Sequence, residues 1–295
     1  MKREAVSIIG AGPAGIAAAI QLKRSGMAPL VVEKERVGGL LKNAYWVENY
    51  PGFPGGIAGI DLVSLLERQL AGHGLEVLFE EVIHVELDGD AFCVETTMRR
   101  WMSLIVIVAS GTKPRKMPDV ALRPGAEERI FYDMYPLRDV AGKKIAIVGA
   151  GDAAFDYALN LGRNNDILIL SRSEKSRCLP LLRERAARSP RITVLNGTIV
   201  RRIAVSPEGL HIESVWREKQ TCDHCDFLVF AIGREPQLDF LSETVRKRRR
   251  ELEESGRLYR IGDVHNGLFR QTAIAVGDGV KAAMRIIKKQ EESDT

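Results

Sequence analysis

The sequence predicts an α/β fold in which one unit of strand, turn, helix and strand occurs twice. The first unit has an apolar strand, a glycine-rich turn, an apolar helix and a second strand, at residues 5–9, 10–15, 16–23 and 30–32. The second unit repeats this order at residues 144–148, 149–154, 155–161 and 166–170. This order is typical of βαβ units, whose two strands are parallel. The chain of 295 residues is long enough for two such domains.

Further strands are expected between the two units and after the second one. Between them, a small antiparallel insertion and a return strand are predicted at residues 76–87, 91–97 and 101–109. A β-rich ending is predicted at residues 192–196, 199–205, 210–216 and 227–232. Gly111 and Pro114 mark the exit from the first region, and Gly233 and Pro236 mark the exit from the second.

Composition limits the class of protein. Hydrophobic residues make up 45% and charged residues 28%, which is ordinary for a globular chain and argues against disorder. No apolar run approaches the roughly 18 residues that a membrane-spanning helix needs, so we expect no membrane span and a cytoplasmic location. The basic and then apolar start resembles a signal peptide, but the glycines at 10, 12 and 15 fit a strand, turn and helix better.

The net charge of +4 is concentrated in one place. Residues 246–250 read Arg-Lys-Arg-Arg-Arg, so the rest of the chain is close to neutral. We expect a solvated helical face there, with docking of an acidic protein as the alternative. Nucleic-acid binding is not expected, because no nucleic-acid motif or aromatic platform accompanies the basic run.

The first glycine-rich turn predicts dinucleotide binding. Gly10, Gly12 and Gly15 form a G-x-G-x-x-G motif between a strand and a helix. The first glycine permits the tight turn, the second lets the backbone approach a pyrophosphate, and the third permits close helix packing. The helix N-terminus attracts the negative charge. Glu33, at the end of the second strand, can accept hydrogen bonds from ribose hydroxyls.

The second glycine-rich turn predicts a second nucleotide site. Residues 149–154 carry alanine at the third small position, a permitted variant of the motif. Where an acid would favour NAD, the chain has Ser171 and Arg172, with Arg177 close behind. Guanidinium groups can bind a 2′-phosphate in fork geometry, although Glu174 would oppose it. The pattern favours NADPH, with NADH as the alternative.

With these motifs, nearly the whole chain resembles the thioredoxin-reductase-like family of flavoproteins, of class II pyridine nucleotide-disulfide oxidoreductase architecture. Residues 38–41 look like the family's flavin loop, and residues 47–53 resemble its signature next to the isoalloxazine ring. Gly262 and Asp263 look like the C-terminal motif whose carboxylate contacts FAD. Residues 270–273 resemble the start of the helix that approaches the flavin.

The resemblance implies two Rossmann-like dinucleotide-binding domains of three-layer ββα type, the second inserted into the first. It implies an FAD-binding domain made of residues 1–112 and 238–295, and an NAD(P)H-binding domain at residues 113–237. A homodimer is a further expectation of the resemblance. The cofactors that it implies are FAD and NADPH.

These arguments together predict the cofactor-binding residues. At the first site they are Gly10, Gly12, Pro13, Ala14, Gly15, Glu33, Lys34, Gly39, Leu40, Asn49, Val82, Gly111, Gly262, Asp263, Arg270, Gln271 and Thr272. At the second site they are Gly149, Gly151, Asp152, Ala153, Arg172 and Arg177. The identity of a catalytic side chain stays open.

The chain departs from the family pattern at the redox cysteines. Thioredoxin reductases of this architecture place a Cys-x-x-Cys shortly before the second glycine motif, where this chain has Tyr132-Asp133-Met134-Tyr135. We expect these tyrosines to be packed, partly exposed aromatic residues, with stacking near the flavin as the alternative.

Another Cys-x-x-Cys lies at Cys222 and Cys225, with His224 between them. If that segment is extended, the two cysteines face opposite sides and a bridge needs a turn. We therefore expect structural cysteines there. We expect no metal site, because Cys93 and Cys178 are distant in the sequence and supply no second ligand pair.

The sequence thus predicts an FAD-dependent NAD(P)H oxidoreductase that passes hydride from NADPH to the flavin and electrons to an unidentified acceptor, which resembles thioredoxin reductase without being an orthodox one. Three alternatives stay open: a ferredoxin- or flavodoxin-NADP reductase that serves an acidic carrier protein, a disulfide reductase that uses Cys222 and Cys225, and a non-enzymatic flavin-binding redox sensor.

Overall fold

The computed structural model describes residues 2–116, 121–122 and 125–293. The remaining residues of the predicted domains, at 1, 117–120, 123–124 and 294–295, lie outside the described residues. The helices are α1 (Pro13–Arg24), α2 (Gly59–Gly72), α3 (Asp152–Leu161), α4 (Pro180–Arg188), α5 (Glu243–Lys247), α6 (Arg249–Glu254) and α7 (Thr272–Ser293). Short 3₁₀ turns occur at Gly39–Asn43, Glu127–Arg129, Tyr135–Leu137 and Gly262–Val264.

The strands follow the same chain order. The first nine are β1 (Arg3–Ile9), β2 (Leu30–Glu33), β3 (Val77–Phe79), β4 (Val82–Asp88), β5 (Ala91–Thr96), β6 (Arg100–Val108), β7 (Thr112–Pro114), β8 (Ala121–Leu122) and β9 (Ile130–Phe131). The others are β10 (Lys144–Val148), β11 (Asp166–Ser171), β12 (Ile192–Asn196), β13 (Thr198–Ser206), β14 (Gly209–Trp216), β15 (Lys219–Cys225), β16 (Phe227–Phe230), β17 (Arg234–Pro236) and β18 (Leu258–Arg260).

The chain divides into two compact units. The first comprises Met1–Lys42, Val47–Lys113 and Glu235–Thr295, and the second comprises Asn43–Trp46 and Pro114–Arg234. The strands β7 and β17 pair with each other where the chain passes from one unit to the other. The assignment of FAD to the first unit and of NAD(P)H to the second stays a prediction.

The first unit is built on a mixed sheet with the order β3-β2-β1-β6-β5-β4, in which β18 also pairs with β6. The strand β1 is parallel to both β2 and β6. The long strand β6 changes partners along its length, since residues 100–103 pair antiparallel with β5 and residues 106–108 pair parallel with β18. The last four residues of β1 are buried, as expected of a central parallel strand covered on both faces.

Close packing of α7 on α1 covers one face of that sheet. A Cβ atom at Gly279 would lie 2.2 Å from the Ala14 carbonyl oxygen and 2.9 Å from the Ala18 amide nitrogen. The missing side chain therefore lets the two helix backbones approach each other. Buried residues of both helices, including Ile16 and Ala283, belong to the same hydrophobic core.

The second unit has two sheets and a helical layer. A parallel sheet has the order β12-β11-β10-β16-β9, and a second sheet has the order β15-β14-β13-β8. One core joins residues of the two sheets, such as Leu168 and Ile212. The other joins the parallel sheet to helical residues such as Phe155 and Ala186. The layers are thus sheet, sheet and helix.

The prediction of one strand at residues 76–87 was wrong. Two strands occur there: β3 pairs parallel with β2, and β4 pairs antiparallel with β5 at the other edge of the same sheet. Between them lies Glu80, whose buried carboxylate accepts a hydrogen bond from Thr96 Oγ1 at 2.5 Å and pairs with Arg99 at 2.6 Å. A buried carboxylate needs such partners; Thr96 is the last residue of β5, and Arg99 follows that strand. The apolar pattern alone did not reveal the break.

Replacement of Gly279 tests the helix packing. We expect Gly279→Ala to destabilise the FAD-loaded protein by about 1–3 kcal/mol, because the added methyl group meets the backbone of α1. Gly277→Ala in the same helix is the matched control, since no described atom lies within 4 Å of its Cβ position. There we expect no loss, or a gain of about 0.5–1 kcal/mol from helix propensity. Equal thermal melting temperatures for the two variants would contradict this packing.

Candidate functional site

The first glycine-rich turn joins β1 to α1 and leaves an open surface. Gly10 has a φ of +108°, and a Cβ there would lie 2.4 Å from the Ala109 carbonyl oxygen, so the turn requires glycine. By contrast, no described atom lies within 4 Å of the Cβ position of Gly12. Gly12 is also the N-cap of α1, and among the described residues no side chain caps it. The free backbone N–H groups of the first helical turn, at Ala14 and Gly15, therefore face an open anion site, while Pro13 has no N–H and sets the helical φ at the start of α1.

Glu33 is held beside this turn at the end of β2. Its Oε2 accepts a hydrogen bond from the Ala11 amide at 2.8 Å, and its Oε1 accepts one from the Glu35 amide at 3.0 Å. A carboxylate offers about four acceptor positions, so Glu33 keeps capacity for ribose hydroxyls. The next residue, Lys34, has a half-exposed side chain whose ammonium lies 4.0 Å from Glu35.

The predicted flavin loop meets the same turn. The Gly38 amide donates to the Ala11 carbonyl oxygen at 2.8 Å. Gly39 has a φ of +54°, and its Cβ position lies 3.4 Å from Gly12 Cα. Leu40 follows in the 3₁₀ turn and is half-buried. These contacts place Gly39 and Leu40 beside the proposed pyrophosphate site.

The C-terminal Gly-Asp motif joins this group across the fold. A Cβ at Gly262, which has a φ of +71°, would lie 2.9 Å from Ala14 Cβ. Asp278 in α7 fixes the motif, because its Oδ2 accepts hydrogen bonds from the Gly262 amide at 3.1 Å and from Asn266 Nδ2 at 2.5 Å. The loop that carries Asp263 is thereby held against the start of α1.

Asp278 was missed in the sequence reasoning. The available signal was an acid between two glycines, Gly277 and Gly279, inside a predicted helix. Two glycines and an aspartate in the interior of a helix lower its stability, so their presence indicates that packing or hydrogen bonding requires them.

Two residues predicted to surround the flavin are in direct contact. Asn49 Nδ2 donates to Gln271 Oε1 at 2.8 Å, and both side chains are exposed. Thr272 begins α7 directly after Arg270 and Gln271. The structure thus brings the segments around residues 49 and 271 together, although they are far apart in the sequence.

Val82 and Gly111 lie elsewhere in the first unit. Val82 begins β4 and is buried in the core that also contains Val32. Gly111 has a φ of +64°, and its carbonyl oxygen accepts a hydrogen bond from the Gln237 amide at 3.1 Å. Their contact with a cofactor stays a prediction.

FAD fits the residues of the first unit. The open space at Gly12, the free first turn of α1 and the oriented carboxylate of Glu33 are the donor and acceptor set that a pyrophosphate and a ribose require. The first turn of α1 and Glu33 would hold the pyrophosphate and the ribose of this cofactor.

The second glycine-rich turn repeats this geometry between β10 and α3. A Cβ at Gly149 would lie 2.3 Å from the Ala231 carbonyl oxygen, whereas no described atom lies within 4 Å of the Gly151 Cβ position. Gly151 is the N-cap of α3, and within the described part of the chain no side chain caps it. In the first turn, Ala153 is exposed and Asp152 Oδ1 accepts a hydrogen bond from the Leu179 amide at 2.7 Å.

The predicted 2′-phosphate contacts lie at the end of β11. Arg172 directly follows that strand, and the Arg177 amide donates to the Ala150 carbonyl oxygen at 2.8 Å, so both residues lie near the second turn. Their side chains are exposed. Glu174 Oε1 lies 2.5 Å from the Cβ position of Gly197, which places the opposing carboxylate over the end of β12.

Both tyrosines before the second turn, Tyr132 and Tyr135, make side-chain contacts. The Tyr132 ring packs on Phe230, with centroids 5.6 Å apart, and the Arg138 guanidinium lies 4.2 Å from the centroid of the Tyr135 ring. These contacts agree with the expectation of packed, partly exposed aromatic residues.

The Cys-x-x-Cys pair lies on the extended strand β15. Cys222 is exposed and Cys225 is buried, since residues three apart on a strand face opposite sides. Burial raises the pKa of Cys225 to about 12, so its thiol stays protonated. A bridge between the two sulfurs would require the strand to refold.

One carboxyl group in α3 has an unusual environment. Burial raises the pKa of Asp156 from 3.8 to about 6, although the Tyr45 amide donates a hydrogen bond to Asp156 Oδ2 at 2.9 Å and lowers the pKa in part. The negative charge of Asp152 adds to the increase. Asp156 therefore keeps its proton up to about pH 6, well above the range of an ordinary aspartate.

Three comparisons with known proteins agree with this geometry. The family model for pyridine nucleotide-disulphide oxidoreductases matches residues 4–279. The thioredoxin reductase of Mycolicibacterium smegmatis is 30% identical, over 98% of this chain and 97% of that protein. The NADPH-dependent thioredoxin reductase 3 of Arabidopsis thaliana is also 30% identical, over 95% of this chain but only 57% of that protein. The crystal structure of Lactococcus lactis thioredoxin reductase, in its FR conformation, has a TM-score of 0.83 and 27% identity, covering 97% of this chain and 98% of that one.

The structure has two turns of the dinucleotide-binding type and matches solved thioredoxin reductases, which confirms the predicted fold class. These features define the class of two-nucleotide flavoprotein oxidoreductases. The chain belongs to the pyridine nucleotide-disulphide oxidoreductase family, and within it to the thioredoxin-reductase-like flavoproteins. It is an NAD(P)H-dependent enzyme of a family that uses FAD and NADPH. No helix of residues 2–116, 121–122 and 125–293 is long and apolar enough to cross a membrane.

The raised pKa of Asp156 predicts a pH-dependent stability. The folded-state pKa lies above the unfolded value, so the stabilisation is complete below about pH 4 and is lost as the pH rises through about 6. We expect Asp156→Asn, which stays neutral and keeps an acceptor for the Tyr45 amide, to be more stable than wild type at pH 8 by on the order of 2 kcal/mol. Melting temperatures measured between pH 4 and pH 8 check this. A stability difference that does not change with pH would contradict it.

Proposed function

We propose that the enzyme oxidises NADPH through FAD and passes the electrons to an acceptor that meets the flavin directly, without a dithiol in the protein. The observation that carries this proposal is the placement of the cysteines. Cys222 and Cys225 lie on opposite faces of β15, and residues 132–135, before the second turn, contain tyrosines in place of thiols. A dithiol relay needs two sulfurs within bonding reach.

The first unit supplies binding and orientation for FAD. When bound, FAD accepts a hydride from reduced nicotinamide and releases electrons to the acceptor. The amides at the start of α1 would bind the pyrophosphate, and Glu33 would bind the ribose. The paired side chains of Asn49 and Gln271 would orient the flavin ring of FAD. Asp263 would lie near the ribityl chain of the cofactor. The protein then contributes position and charge rather than a catalytic side chain.

The second unit would select NADPH. The open turn at Gly151 and the first turn of α3 would bind its pyrophosphate, since that helix end has the same geometry as α1. Arg172 and Arg177 would bind the 2′-phosphate, because both follow β11 and have exposed side chains.

Docking of an acidic carrier at the basic run is the less favoured alternative. Three of its cations already pair with glutamates on α5 and α6: Lys247 with Glu243 at 2.7 Å, Arg248 with Glu251 at 2.6 Å and Arg250 with Glu254 at 2.9 Å. Arg246 donates to the backbone oxygens of residues 238 and 239. Such local pairing supports the interpretation as a solvated helical face.

A small acceptor therefore fits the proposal better than a carrier that docks at this run. Cytoplasmic location and a homodimer remain parts of the proposal, supported by the family resemblance.

An anaerobic titration with NADPH tests the proposed electron path. We expect rapid bleaching of the flavin absorption with uptake of about two electrons per FAD, because the flavin is the only redox group that the proposal uses. Parallel titrations with NADH and of free FAD serve as controls. Uptake of about four electrons would contradict the proposal and favour a disulfide of Cys222 and Cys225. Failure of both nucleotides to bleach FAD would instead favour a flavin-binding sensor.

Replacement of Arg172 tests the choice of nucleotide. We expect Arg172→Ala to lower kcat/KM for NADPH by about 10–100-fold, the value of one charged hydrogen bond to a phosphate, with little change for NADH. Arg188→Ala is the matched control, because Arg188 is an exposed arginine of the same unit in the last turn of α4. Steady-state kinetics with both nucleotides provide the measurement. A parallel loss with NADPH and NADH would argue against a 2′-phosphate contact.

A further inference from the structure

A cluster of three metal-binding side chains lies on the β14–β15 hairpin. His211 pairs with His224 across the two strands, and Glu213 pairs with Cys222. Because side chains alternate along a strand, these four residues lie on one face of the hairpin. The ligand atoms of His211, Cys222 and His224 all lie within 4.8 Å of one another.

The distances fit one tetrahedral ion. Cys222 Sγ lies 3.7 Å from His211 Nδ1, and the two imidazole centroids also lie 3.7 Å apart. Zinc bonds of about 2.3 Å to sulfur and about 2.0–2.1 Å to nitrogen place the two donors of a tetrahedron about 3.6 Å apart. Cys222 and His211 are therefore already at ligand spacing, and a ring nitrogen of His224 lies within 4.8 Å of both.

The donor set selects the metal. One thiolate and two imidazoles are soft and borderline ligands, which suit zinc. Calcium and magnesium prefer oxygen ligands and would bind this set weakly. Cys222 and His224 are exposed and His211 is half-buried, so an ion can enter from solvent. Glu213 is also exposed, and its carboxylate lies 3.5 Å from Arg202 Nη1 in a weak surface pair.

We propose that His211, Cys222 and His224 form a zinc-binding site on the second unit, with the fourth position open to water or to Glu213. Binding would release the thiol proton of Cys222, because zinc takes the thiolate. The ion would join the two strands of the hairpin and occupy the one exposed thiol of the Cys-x-x-Cys. Cys225, on the buried face, takes no part.

The sequence expectation of no metal site considered only pairs of cysteines. The site combines residues 222 and 224 of one strand with His211 of its neighbour, so its spacing depends on strand register. The pairing of β14 and β15 is the information that the sequence alone did not provide.

Zinc binding to the full-length, FAD-loaded protein tests this site. Tag-free protein is reduced with a non-thiol reductant, stripped with a chelator and titrated with Zn²⁺ against a fluorescent zinc indicator. We expect one zinc ion per chain, and Cys222→Ser and His224→Ala each to weaken binding by at least about 100-fold, the upper end of the effect of losing a supporting partner. Substitution with Co²⁺ should produce the visible bands of a tetrahedral thiolate site at wavelengths longer than those of the flavin.

Two controls keep the result specific. Gln220 lies on the same exposed face of β15, two residues from Cys222. The variant Gln220→Ala should therefore bind zinc with the affinity of the wild-type protein. His73→Ala removes a half-buried histidine of the first unit, which is not the unit that contains this hairpin, and should also have no effect. Absence of stoichiometric binding in wild type, or unchanged affinity in a folded double variant Cys222→Ser/His224→Ala, would overturn the proposal. Far-ultraviolet circular dichroism establishes folding of each variant.

Discussion

The first nucleotide site depends on backbone packing around Ala14, at the first turn of α1. A side chain at Gly15 would lie 1.9 Å from the Gly10 carbonyl oxygen, and one at Gly279 would lie 2.2 Å from the Ala14 carbonyl oxygen. A side chain at Gly262 would lie 2.9 Å from the Ala14 methyl group. These glycines let the C-terminal segments contact the N-terminal turn. Since close-packed interiors relax little, we expect a single added methyl group there to lower the stability of the first unit.

The two helix N-termini follow the same physical logic. Gly12 and Gly151 are extended N-cap residues, and among the described residues neither α1 nor α3 receives a side-chain cap. A capping side chain would satisfy the amides that a phosphate group must bind. Some helix stability is therefore given up in the protein alone, and on the proposed binding of phosphate groups at these turns it would be recovered when the anion binds. This coupling would link nucleotide binding to the folding of each unit.

Sequence reasoning succeeded where the information is local. The turns at residues 10–15 and 149–154 were predicted because the spacing of their small residues is visible within six residues, although the atoms that Gly10 and Gly149 approach belong to the remote residues Ala109 and Ala231. It failed where partners are remote, as at Glu80, whose partners lie at and just after the end of β5, and at Asp278, which accepts hydrogen bonds from a loop that precedes its helix. The zinc ligands belong to the same class, because strand register brings His211 to Cys222.

The edge position of β15 in its sheet explains why the polar sequence of residues 219–225 did not predict a strand. It lies at the end of the sheet order β15-β14-β13-β8, so one row of its backbone groups has no neighbouring strand in the described part of the chain. Lys219 and Asp223 place charges along this edge. Charged residues on an edge discourage pairing with the edge of another molecule, which would otherwise start aggregation. The polar composition that obscures β15 in the sequence therefore protects the folded protein from self-association through this sheet.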